Sequence, residues 1–262
     1  MTERVVPQAE QIHVDLDPAE TLAAYVRHRT RFADEASTLD EHALGVPSRC
    51  SKWTVADVLR HCADVDDWML ALWSGGRPPF TEFDPVTTPH EFVVAARAMR
   101  DVDARDRYVA STARLIADVD GSGAERWDAF GVSPLGIVPW WLSVTHVFWD
   151  SWLHERDALL PLGADVPVPG DETLPILTYS LALVGTLIEE PTEHVVAGVR
   201  MRTGQKPVVV TPVVGPSDVH PDTPGMVDAL NGRGELDDLL PGADRDLRHQ
   251  LGAMARLFRT TA

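Results

Sequence analysis

Lysine is almost missing from this 262-residue chain: Lys52 and Lys206 stand alone against twenty-one arginines. That bias reads as the codon usage of a GC-rich genome rather than as chemistry. Basic charge as a whole is scarce. Forty acidic residues against 23 basic ones leave a net charge of −17, which argues against nucleic acid and anionic membrane surfaces as partners. The two cysteines, Cys50 and Cys62, are too few for a disulfide framework. No apolar run approaches the length of a membrane span, and the first residues, MTERVVPQAEQIHVD, lack the apolar core of a signal peptide. Glycine-rich phosphate loops, nucleotide fingerprints and serine elbows are absent as well. What remains is the expectation of a cytoplasmic enzyme or small-molecule binding protein, with 44% apolar residues to build its core.

The elements follow from caps and periodicity. Asp17-Pro18 with Glu20 opens a helix predicted to run to about Leu39, and Thr54 with Asp57 is a capping-box pattern opening a second to about Trp73. Val55, Val58, Leu59, Cys62, Val65, Met69 and Trp73 form its apolar stripe, and His61 sits on the stripe's edge. Gly75 to Pro89 reads as a loop. A third helix is expected from Thr88 to about Val119, a break at Gly121–Gly136, and a fourth helix over Trp140–Leu160. Four long helices with marked breaks suggest a bundle. Residues 161–170 resemble a linker, a fifth helix is expected at about Glu172–Glu189, and β-branched stretches at His194–Arg202 and Pro207–Val214 read as strands around a turn at Thr203–Gln205. A short helix is expected at Met226–Asn231 and a terminal one at Asp244–Phe258. The fold class is therefore α+β: a helical bundle over residues 1–162, followed by a smaller α+β domain over 171–262.

The fourth helix, WWLSVTHVFWDSWLHERDALL, carries the chemistry. His146, Asp150, His154 and Asp157 share one face, yet apolar residues surround them. Such a helix is normally buried, and buried imidazoles and carboxylates require partners or a metal. One ion cannot take His146, Asp150 and His154 together: the outer pair is ~12 Å apart along the axis at ~1.5 Å per residue, against Zn–N bonds of ~2 Å. One adjacent pair, Asp150/His154 or His146/Asp150, needs a third ligand from another helix, for which His61 is best placed. A plain hydrogen-bonded His–Asp pair is the competing reading.

The stretch VPSRCSKWTVADVLRHCADVDDW, with Trp53 opening the second helix and His61 two turns later, resembles the mycothiol-dependent maleylpyruvate isomerase family. That family's acid-x-x-x-His-x-x-Asp pattern is matched by Asp150, His154 and Asp157. LNGRG, around Gly232 and Arg233, resembles its recurring Gly-Arg element. The resemblance implies a DinB-like four-helix fold and His61, Asp150 and His154 as ligands of a divalent metal. Zinc is the first expectation for such a set; iron, manganese and nickel suit it too. His146 is left either supporting a ligand from behind or facing the substrate. Asp157 either orients the His154 imidazole or is a surface carboxylate near Arg156. Arg233 either binds a substrate anion or meets carbonyls at a helix end. In one respect the chain departs from the family, which usually has glutamate at the place of Asp150. Cys62 and Cys50 are read as packing residues, and Trp53, Trp68, Trp149 and Trp152 as core or pocket wall.

The resemblance implies an enzyme using a low-molecular-weight thiol, mycothiol, for isomerisation or S-transfer on a small electrophilic substrate. Two alternatives stand beside it. One is a thiol-independent metal hydrolase or lyase; the other is a non-catalytic module that binds a small toxic ligand.

Overall fold

The computed structural model describes residues 12–77, 79–80, 84, 87–187, 191–204, 208–213, 223–240 and 245–261. Four long helices form the bundle: α1 (Pro18–Ser37), α3 (Val55–Trp73), α5 (Asp101–Asp120) and α6 (Trp140–Leu159). Each packs on two of the others in the ring α1–α5–α3–α6. Short helices α2 (Glu41–Leu44) and α4 (Thr88–Ala96) join them. The caps read from the sequence are present: Asp17 accepts from the Glu20 N–H, and Thr54 and Asp57 close a reciprocal capping box at the start of α3.

The expected third helix is in fact two, α4 and α5, broken at residues 97–100. No proline or glycine marks this break. Side chains hold it instead: Arg60 of α3 donates to the Met99 carbonyl at 2.7 Å and to Asp101 at 2.6 Å, while Arg97 folds back onto Asp57 at 2.7 Å. The expected break at 121–136 contains the start of a hairpin, β2 (Phe130–Ser133) with β3 (Gly136–Pro139). It docks on α6 through Ser143, whose hydroxyl donates to the Val132 carbonyl at 2.6 Å.

Beyond the bundle, α7 (Gly170–Leu187) packs on α1 and α6 and also on the sheet, which is why it is buried nearly throughout. The sheet has the order β1-β6-β5-β4, with β4 (Thr192–Val196), β5 (Val199–Thr203) and β6 (Val208–Pro212) antiparallel. The single strand expected over His194–Arg202 is thus a β4–β5 hairpin. It turns at Ala197 and Gly198, both at positive φ; alanine is an unusual residue for such a turn, which hid it from a sequence reading. The expected turn residue Gln205 and the strand ends Pro207 and Val214 lie outside the described residues. The edge strand β1 (Ile12–Val14) comes from the N-terminal lead-in and pairs in parallel with β6, Ile12 opposite Val208. Helices α8 (Thr223–Leu230), α9 (Leu236–Leu239) and α10 (Arg245–Thr261) complete the chain. One apolar core runs from Tyr25 and Trp152 of the bundle through Tyr179 of α7 to Val210 of the sheet.

Buried charges tie the helices together. Arg29 of α1 meets Asp66 of α3 at 2.5 Å, and Ser111 and Thr112 of α5 donate to the same carboxylate at 2.9 and 3.0 Å. Arg31 of α1 bridges Glu155 of α6 and Glu172 of α7 at 2.9 and 2.7 Å. Each ion is met by opposite charge, as burial demands. Among the described residues no helix is long and apolar enough to cross a membrane.

Candidate metal centre

The capping box at Thr54 fixes where α3 begins, and so places His61 on its second turn, facing α6. On α6, Asp150 and His154 are one turn apart and project toward His61. Asp150 Oδ1 lies 3.4 Å from His61 Nε2 and 3.5 Å from His154 Nε2. The imidazole rings meet edge to face at 4.7 Å between centroids. Both distances exceed an ordinary hydrogen bond, but they match the ~3.3–3.4 Å between neighbouring ligands of a tetrahedral ion at ~2.0–2.1 Å. The donor set, two imidazole nitrogens and a carboxylate oxygen, is therefore a fit for a divalent cation in both chemistry and spacing.

The surroundings suit that use. His154 Nδ1 lies 3.1 Å from Asp157 Oδ2, which favours a proton on Nδ1 and leaves the Nε2 lone pair directed at the site. Asp157 is fully buried, so it is no surface carboxylate. Its other partners are Arg233, with Nη2 at 2.6 Å and Nε at 3.2 Å, the Cys50 thiol at 3.2 Å and Arg49, with Nε at 3.6 Å. Burial works against its ionisation, but Arg233 and His154 outweigh it and hold the carboxyl well below the usual range. Arg156 points elsewhere, to Asp228 of α8 at 3.1 Å. Burial likewise opposes the charge on Asp150, and the His154 and His61 imidazoles hold its carboxyl low. Trp53, immediately before the α3 cap, covers both imidazoles, with centroids at 5.2 Å from His61 and 6.0 Å from His154. Its indole N–H donates to His90 of α4 at 3.2 Å.

His61, Asp150 and His154 stand at the wall of a cavity of about 570 Å³. His146, two turns before His154, lines the same cavity with its ring stacked on Trp149 at 5.6 Å. Burial is the main cause that lowers its pKa to about 4, so it is neutral at pH 7; its Nδ1 is buried and has no hydrogen-bond partner among the described residues. Arg233 reaches the cavity from the turn after α8, where Gly232 has φ +76° and a Cβ would stand 2.6 Å from the Arg259 nitrogen of α10. Only glycine fits this turn. Arg233 also donates to the Asn231 carbonyl at 2.6 Å, so the helix-end contact and the site contact coexist.

Several pocket residues carry no sequence signal. Cys50 was read as packing, yet it lines the cavity and bonds Asp157, through a loop whose course periodicity does not report. Ser133 arrives on the hairpin, and Met254 and Phe258 arrive on α10. Among the tryptophans, Trp53, Trp68 and Trp149 line the cavity, whereas Trp152 and Cys62 belong to the core.

A family model described as the mycothiol maleylpyruvate isomerase N-terminal domain matches residues 25–159, just over half of the chain and all four bundle helices but the first turns of α1. The chain belongs to this family. The match takes in His61, Asp150, His154 and Asp157, while Arg233 lies beyond it. Two solved structures extend the likeness past the family segment. One is described as the mycothiol-dependent maleylpyruvate isomerase, with a TM-score of 0.59, and the other as a histidine-to-alanine mutant of it, with 0.55. Each is 19% identical and is matched over 84% of this chain and 91% of its own. At that identity the likeness speaks for the fold, the C-terminal α+β part included. No curated protein matches the chain.

Proposed function

We propose that this member of the family is a metal-dependent enzyme that uses a low-molecular-weight thiol, mycothiol, to isomerise a small electrophile or transfer sulfur to it. The observation that carries the reading is the convergence of His61 Nε2, Asp150 Oδ1 and His154 Nε2 at the cavity wall. The family and its solved relatives, named for mycothiol dependence, supply the thiol.

His61, Asp150 and His154 would hold the ion, zinc being the natural choice for this set. Bound there, a divalent cation supplies the acidity that turns a thiol into its nucleophilic thiolate at neutral pH. The chain's own residues do the rest. Asp157 holds the proton of His154 Nδ1, and Arg233 keeps Asp157 ionised and in place. Trp53 shields both imidazoles from water. His146, neutral and facing the cavity, offers a hydrogen bond to the oxygen of an electrophilic carbonyl. In isomerisation the sulfur adds to an alkene carbon as the π pair moves onto the conjugated carbonyl. Rotation about the new single bond follows, then expulsion of the same sulfur as thiolate restores the double bond. In S-transfer a leaving group departs instead. The two buried thiols suit a reducing compartment such as the cytoplasm.

The test is turnover of an α,β-unsaturated carbonyl substrate with and without metal and thiol. The reading expects both to be required, and expects His61→Ala to abolish activity. Turnover indifferent to thiol would overturn it in favour of metal hydrolysis.

A further inference from the structure

We propose that the electrophile taken by this pocket is an uncharged, largely apolar molecule rather than a dicarboxylate such as maleylpyruvate; the inference deepens the proposed function and rests on it for the word electrophile. Beside the His–Asp–His cluster, the cavity is lined by Trp68, Met69 and Leu72 of α3, Leu183 of α7, and Met254 and Phe258 of α10. Phe258 packs edge to face on Trp149 at 5.2 Å, and Trp68 packs the same way on Phe80 at 5.2 Å.

Positive charge is the missing component. Among the described residues lining the cavity, Arg233 is the only arginine or lysine. Its charge is already paired with the Asp157 carboxylate, to which Nε and Nη2 donate, while Nη1 donates to the Asn231 carbonyl. Its side chain is only 6% exposed. The neighbouring histidine, His146, is neutral at pH 7. A divalent ion held by His61, Asp150 and His154 would have its charge balanced by the Asp150 carboxylate and a bound thiolate, and so would offer no net positive charge to a substrate. A molecule with two carboxylates would bury both against hydrocarbon without counter-charges, which is strongly unfavourable. A ring or alkyl chain bearing one carbonyl fits the same wall at no such penalty, in a volume ordinary for a small-molecule site.

The test reads binding, not turnover. The full-length protein, freed of metal so that no ion can ligate a carboxylate, is titrated with phenylnaphthylamine, an uncharged two-ring fluorescent probe. The probe is then displaced with benzylideneacetone, an uncharged unsaturated ketone, or with maleate. The inference expects saturable probe binding, displacement by the ketone, and maleate weaker than the ketone by at least about tenfold. Phe258→Ala, at a partly exposed position, is expected to weaken the probe about fivefold or more. Maleate displacing the probe as well as the ketone does, or probe affinity unchanged in Phe258→Ala, would overturn it. Because binding is read without thiol, the comparison decides the substrate class even where thiol-dependent turnover fails.

Discussion

The Arg233 guanidinium lies 2.6 Å from the Asp157 carboxylate, so a turn in the C-terminal part of the chain is fastened to the bundle helix that carries Asp150 and His154. Asp157 in turn holds His154 Nδ1 at 3.1 Å. Asp157→Asn keeps the shape but loses the charge that pairs with Arg233 and that strengthens the hold on the His154 Nδ1 proton. Zinc affinity, measured by competition with a chromophoric chelator, is expected to fall about 10–100-fold. Asp157→Ala leaves Arg233 buried without its partner, and urea denaturation is expected to show a loss of roughly 3–5 kcal/mol. Unchanged affinity and stability in both variants would contradict this linkage.

Gly232 sets the turn that aims Arg233. With φ at +76° and the α10 backbone 2.6 Å from where a Cβ would be, Gly232→Ala meets both a backbone penalty and an overlap. The expected cost is at least roughly 1–2 kcal/mol, read by thermal or urea unfolding, together with weaker zinc binding as Arg233 shifts away from Asp157. A variant as stable as the parent would show that α10 yields at this contact.

Burial of His146 makes stability depend on pH. Its folded pKa is about 4, against an ordinary 6.5. The unfolded chain therefore takes up a proton between these values that the folded chain refuses. Its contribution is fully present above pH 6.5 and is lost as pH falls toward 4, at a slope approaching 1.4 kcal/mol per pH unit. In metal-free protein, His146→Phe is expected to flatten the stability profile between those pH values. An identical slope in the variant would contradict the assignment.

How far the sequence foretold this molecule differs from residue to residue. The Thr54 and Asp57 cap is local chemistry, so it placed α3 and with it His61. The four polar groups on one buried face of α6 were equally plain, and the axial distance argument separated His146 from His154 before any coordinates. The selection of Asp150 with His154, and any role for Arg233, came from resemblance to the family. No pattern joins residue 233 to residue 157, because their meeting depends on how α8 docks on α6. The break between α4 and α5 escaped notice because Arg60 and Arg97 make it, not a helix-breaking residue. Strand β1 has three residues and a partner near position 208, so its evidence is entirely long-range. The walls from α10 and the hairpin are likewise products of tertiary packing.

Asp150 Oδ1 lies 3.4 and 3.5 Å from the two imidazole nitrogens. Asp150→Asn removes the charge while keeping size. It is expected to lower zinc affinity by at least about tenfold, and Asp150→Glu is expected to retain binding. Equal affinity in Asp150→Asn would remove this carboxylate from the site.

The central claim is that His61, Asp150 and His154 form a metal site, and elemental analysis tests it most directly. Protein purified without affinity metals is dialysed against a divalent-metal mixture, and its bound metal is measured beside that of His61→Ala and His154→Ala. The account predicts about one equivalent of metal per chain in the parent and nearly none in either variant. Stoichiometric metal persisting in both variants, or a parent that takes up none, would contradict it.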